Sequence, residues 1–65
     1  MNITLNQERK TVAAVTVGQL LVEMGQDKPG VAVARNGAVV RRTAWADTAI
    51  AEGDTLDIFS VIAGG

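Results

Sequence analysis

The sequence predicts an α+β domain in which a four- to five-stranded mixed sheet packs on one main helix. Three observations carry that prediction. Apolar–polar alternation near both ends of the chain has the period of strands. Between them lies a single amphipathic stretch with signals for both helix ends. The 65 residues leave room for one domain, of a size that buries about 60% of its unfolded surface. A sheet and a helix each bury one apolar face when stacked in two layers.

Met1 to Asn6 alternates apolar and polar residues, the pattern of a half-buried strand. Asn6-Gln7-Glu8 can turn, and Arg9 to Ala14 returns as a second, less regular strand. Thr16 with Gln19 three residues later forms a capping box, and Val15 before the cap can pack on Leu20 as a hydrophobic staple. Val17, Leu20, Leu21 and Met24 then fall on one helical stripe. Gly18 weakens the helix, Gly25 suits its left-handed end, and Pro29-Gly30 prevents its resumption.

Val31 to Ala34 shows little polar alternation and reads as a central, covered strand. Asn36-Gly37 is a strong two-residue hairpin signal, because both positions tolerate positive φ. Ala38-Val39-Val40 is the partner strand, and Arg41 to Ile50, with Trp45, is irregular or briefly helical. Glu52-Gly53-Asp54 turns into a last strand, Thr55 to Ile62. The expected organisation is a domain over 1–62 and a flexible Ala63-Gly64-Gly65 tail. A helical connection between the second and third strands fits a β-grasp, with the first and last strands adjacent at the centre. Spacing alone does not establish that order.

Apolar residues at 48% and charged residues at 20% are those of a globular chain. A net charge of -1 gives no drive toward nucleic acid or anionic membrane. No apolar run approaches the roughly 18 residues of a membrane span, and no signal peptide is visible, so a cytoplasmic location is expected. Cysteine and histidine are absent. Disulfides, thiolate metal sites and thiol nucleophiles are thereby excluded. No metal site and no catalytic residue of its own are expected. The acidic residues Glu52, Asp54 and Asp57 read as a solvated turn, and Arg35, Arg41 and Arg42 as a solvated edge.

The chain end draws attention instead. Gly64 and Gly65 are either a frayed terminus or an end whose lack of Cβ lets it thread a narrow channel and present the Gly65 carboxylate. Extended, Ala63 to Gly65 reaches roughly 10 Å beyond the sheet. In the final strand, Leu56 and Ile58 share one face, while Asp57, Phe59 and Val61 share the other. If Leu56 and Ile58 face the core, Phe59 and Val61 form an exposed docking patch beside the tail. Otherwise Trp45 or another loop residue covers them. Ile62 joins Phe59 and Val61 as the partner-docking candidates.

The stretch from Glu52-Gly53-Asp54 through Phe59-Ser60-Val61-Ile62-Ala63-Gly64-Gly65 resembles the C-terminus of the bacterial thiamine-biosynthesis sulfur carrier family, ThiS. Ala34-Arg35-Asn36-Gly37, Val39-Val40 and Arg42-Thr43-Ala44-Trp45 resemble that family's hairpin and Arg-x-x-Trp segment. The opening strand and capped helix also fit, so the resemblance spans essentially the whole chain. Arg41 stands where thiamine carriers often have proline.

The resemblance implies a ubiquitin-like β-grasp and a carrier that is a co-substrate, not an enzyme. A ThiF-like adenylyltransferase would use ATP and magnesium to turn the Gly65 carboxylate into an acyl adenylate, with Ala63 and Gly64 entering its active site. The chain itself would bind no cofactor. Sulfur drawn from cysteine by a desulfurase or sulfurtransferase would replace AMP to leave a thiocarboxylate, which ThiG-like thiazole synthase would consume. The molybdopterin-synthase small subunit (MoaD) shares fold and tail, but carries a proline pair where Ser60-Val61 stands here. Other sulfur carriers use the same tail, and a non-covalent β-grasp binding module is the alternative from another class.

Overall fold

A computed structural model of the chain describes residues 1–60. Five strands, β1 (Asn2–Leu5), β2 (Glu8–Thr11), β3 (Val31–Arg35), β4 (Ala38–Val40) and β5 (Thr55–Ser60), form one sheet in the order β2-β1-β5-β3-β4. β1 and β5 are parallel neighbours at the centre, and the other pairs are antiparallel. This is the adjacency of first and last strands that a β-grasp requires. Helix α1 (Val17–Glu23) and a 3-10 helix (Arg42–Asp47) connect the strands.

Two-residue turns close both hairpins. Asn36 and Gly37 have φ of 51° and 85°, the double positive φ of a type I′ turn. Asn6 and Gln7 adopt φ of 50° and 69° without a glycine. That tight turn pairs Leu5 with Glu8, so β2 starts one residue earlier than expected. It ends at Thr11, and Val12 and Ala14 enter the core from the following segment.

The helix signals read from the sequence are present with one change. Thr16 Oγ accepts from the Gln19 N–H at 3.1 Å, while Gln19 Oε1 accepts from the Val15 N–H at 3.0 Å, one residue upstream of the cap. The staple between Val15 and Leu20 does not form. Val15 is half exposed and Leu20 fully buried. The backbone around Thr16 is extended and bridged to Ala49, with the Ile50 N–H on the Val15 carbonyl and the Val17 N–H on that of Thr48. Alternation along this extended segment turns Ala14 inward and Val15 outward. At the other end, the Gln26 N–H bonds the Leu21 carbonyl and the Gly25 N–H that of Val22. With Gly25 at φ 70°, this is a Schellman ending.

Val17, Leu20 and Leu21 of α1 join Ile3, Leu5, Val33 and Leu56 of the sheet in one core. Trp45 closes it from the 3-10 helix, its Nε1 donating to the Val40 carbonyl at 2.9 Å. Gly18 sits where a Cβ would lie 3.5 Å from the backbone of Trp45 and Ala46. β3 is interior to the sheet as expected, but it is covered on one face only. Val33 is buried, whereas Ala32 and Ala34 are partly exposed.

Candidate docking face and the approach to the chain end

β5 carries the chain toward its C-terminus, and its two edges are held unequally. Thr55 and Leu56 pair with Thr4 and Leu5 of β1. On the other edge the ladder with β3 continues to Ser60, opposite Val31. β1 ends because the chain turns at Asn6, whose side chain then takes over from the ladder: Asn6 Oδ1 accepts from the Ile58 N–H at 2.8 Å. β5 therefore runs past its parallel neighbour before the residues that lead to Gly65.

The start of β5 is clamped. Asp54 is 8% exposed, which overturns its reading as part of a solvated turn. Its carboxylate accepts from Arg35 Nε at 2.6 Å, the Ala51 N–H at 2.8 Å and Asn36 Nδ2 at 3.1 Å. Asn36 Oδ1 in turn accepts from the Thr55 N–H, and the Asn36 N–H donates to the Thr55 carbonyl. Burial pushes the Asp54 carboxyl up. The bond from Ala51, those from Arg35 and Asn36, and the Arg35 charge together outweigh burial and hold it below the ordinary value. Glu52 is exposed, and its Oε1 caps the Asn2 N–H.

The three arginines do not form a cluster. Arg35 is bound to Asp54. The Arg42 guanidinium lies 5.0 Å from the Trp45 ring centroid and 3.9 Å from Asp27, and Arg41 is exposed.

The faces of β5 are as its alternation suggested. Leu56 is fully buried and Ile58 packs against the core. Phe59 is 46% exposed on the opposite face. Trp45 does not cover it, being buried with the helix side of the sheet. Cross-strand register supplies the rest of the patch. Phe59 stands opposite Ala32, and Asp57 opposite Ala34, whose other partner is Val39, an exposed residue of β4. Residues directly opposite on one face have Cβ atoms about 4.5–5.5 Å apart. Phe59, Ala32, Ala34 and Val39 thus form an apolar area on the open face, and the last three were not anticipated. The sequence marked Ala38-Val39-Val40 as a strand, but not its register against β3. Val61, Ile62, Ala63, Gly64 and Gly65, the remaining expected site residues, lie outside the described residues. Among the described residues, no three metal-ligating side chains gather, and no helix is long and apolar enough to cross a membrane.

The ThiS family profile matches residues 3–65. The chain belongs to the ThiS family. It is 39% identical over 66 residues to the sulfur carrier protein ThiS of Escherichia coli, with all of both chains covered. It is 41% identical over 66 residues to a thiazole synthase of Paramagnetospirillum magneticum, of whose length it spans 20%. Among solved structures, the crystal structure of the ThiS thiamine biosynthesis protein of Geobacter metallireducens superposes with a TM-score of 0.87 at 30% identity, covering all of both chains. The NMR structure of a thiamine biosynthesis protein from the same organism gives 0.80 at 30% identity, covering 100% of this chain and 88% of that one. The five-stranded mixed sheet on one main helix is thus the ThiS β-grasp.

Proposed function

We propose that this ThiS-family chain carries sulfur in thiamine biosynthesis on its C-terminal residue, Gly65, and delivers it to thiazole synthase. Membership of the family supports the carrier role. The observation that carries the mechanism is the placement of Phe59. It is an exposed aromatic on the open face of the central strand, six residues before the chain end. A partner that covers Phe59 holds the strand that leads to Gly65. Fully burying a phenylalanine side chain contributes about 1.5–3 kcal/mol. With 46% of Phe59 still exposed, roughly half of that is available to a partner, enough to matter in a transient complex.

The chemistry follows from what a terminal carboxylate lacks. With an ordinary pKa of about 3.3–3.7 it is ionised at neutral pH and a poor electrophile. A ThiF-like adenylyltransferase, using ATP and magnesium, joins it to AMP with release of pyrophosphate. Persulfide sulfur from a cysteine desulfurase or sulfurtransferase displaces AMP to form an acyl disulfide, and a thiol reductant cleaves its S–S bond to leave the thiocarboxylate. The glycines at 64 and 65 give that end passage into its partners' active sites. Its terminal carboxylate attacks the α-phosphate of ATP, and no side chain of the chain serves as acid, base or nucleophile in these steps; the chain is their co-substrate. We place the cycle in the cytoplasm. As partner we favour thiazole synthase over molybdopterin synthase, because a thiazole synthase chain contains a segment aligning with all of this one.

Incubation with the activating enzyme, ATP and a sulfur source is expected to raise the intact mass by one oxygen-to-sulfur exchange. Deleting Gly65, or extending the chain past it, is expected to abolish that change. Full conversion of either variant would refute the mechanism and favour a non-covalent module.

A further inference from the structure

The open face is apolar around Phe59, Ala32, Ala34 and Val39, yet an acidic residue sits within it. Asp57 stands beside Ala34, two strands away from Val39, and two residues along the same face of β5 from Phe59. On its other side β1 has already ended, since the last pair there is Leu5 with Leu56. Among the described residues the ion pairs are Arg35–Asp54 and Arg42–Asp27, and neither involves Asp57. Arg35 stands next to Ala34 on the adjacent strand but is held by Asp54. Arg9 pairs with Thr4, which pairs with Thr55, so it lies two strands across and two residues along from Asp57, about 12 Å at the usual strand spacings.

In the free protein the partly exposed Asp57 carboxylate keeps its hydration. A partner seated on Phe59 and Val39 removes that water. A carboxylate covered without a counter-charge is strongly unfavourable. One covered by an arginine or lysine gains a charge-assisted bond. The same residue therefore rewards one kind of partner surface and penalises a purely apolar one, the usual basis of discrimination between partners.

We propose that Asp57 is the specificity-determining residue of this face, and that the surface covering it on thiazole synthase is apolar with one basic side chain opposite the carboxylate. This rests on the reading above that the Phe59 face docks and that thiazole synthase is the acceptor. That choice is favoured by the synthase chain in which a segment like this one is already joined to the rest, which keeps the two at high effective concentration.

Asp57→Leu separates the proposal from plain apolar docking, because the two give opposite signs. Titration calorimetry of full-length carrier variants with purified thiazole synthase from the same organism reads the affinity, and circular dichroism confirms folding. Plain apolar docking gives Asp57→Leu equal or tighter binding, which would overturn the proposal. The proposal gives at least about 10-fold weaker binding for Asp57→Leu and Asp57→Asn, since the synthase's cation is left covered and unpaired. Asp57→Lys is expected to bind more weakly still, and to be rescued by exchanging one basic residue of the synthase for glutamate. Failure of every such exchange would also overturn it. Phe59→Ala tells the two readings apart. If it weakens binding while Asp57→Leu does not, the docking face stands and the role of Asp57 falls; if it leaves affinity unchanged, both fall.

Discussion

Removing the Asp54 carboxylate should take away a large share of the domain's stability. In the folded chain it is 8% exposed and accepts three hydrogen bonds, from Arg35, Ala51 and Asn36. A bond to a charged acceptor contributes about 1.5–3 kcal/mol, and breaking a buried ion pair costs about 3–5 kcal/mol. The Arg35 side chain is 33% exposed, so water takes over part of its guanidinium and the upper figure is too large. For Asp54→Ala we expect a loss of about 2–4 kcal/mol, against a total of roughly 3–10 kcal/mol for a domain this size. Asp54→Asn keeps the shape but turns one acceptor into a donor, and about 1–3 kcal/mol should go.

Guanidinium denaturation followed by circular dichroism measures both losses. The pH dependence supplies an independent check. Because the folded carboxyl lies below its ordinary 3.8, its contribution is complete above that value and disappears as pH falls through the folded one. The difference between the parent and Asp54→Asn should therefore hold from neutrality to about pH 4 and close below it. A loss under about 1 kcal/mol for Asp54→Ala, or a difference that widens in acid, would refute the assignment of Asp54 as the clamp of β5.

Two further substitutions test the local geometry. Gly18→Ala places a methyl group at ordinary contact distance, 3.5 Å, from the Ala46 backbone. It should stabilise the helix by about 0.5–1 kcal/mol, seen as a higher Tm, and a lower Tm would mean that the 3-10 helix cannot accommodate it. Asn6→Ala strains a backbone at φ 50° and removes the acceptor of the Ile58 N–H. A loss of about 1–2 kcal/mol is expected, with faster hydrogen exchange at the Ile58 amide; unchanged exchange there would show that the Asn6 side chain does not hold β5.

Much of this molecule is written in short stretches of its sequence. The capped helix from Thr16, its left-handed end at Gly25, the Asn36-Gly37 turn and the shared face of Leu56 and Ile58 depend on residues within a few positions of each other. Helical and strand periods and turn chemistry act at that range, so these features were legible in order along the chain. The family was legible too, since its motifs are contiguous.

The tertiary structure decided what those elements meet. Asp54 is buried because the β3–β4 hairpin brings Arg35 and Asn36 to it from about twenty positions away. Val39, Ala32 and Ala34 join Phe59 on the open apolar face through the register of three strands. Val15 points outward because its backbone is bridged to a segment beyond the 3-10 helix. Each outcome depends on which distant strands lie side by side and in what register. That is settled by how the whole core packs, and no local period encodes it.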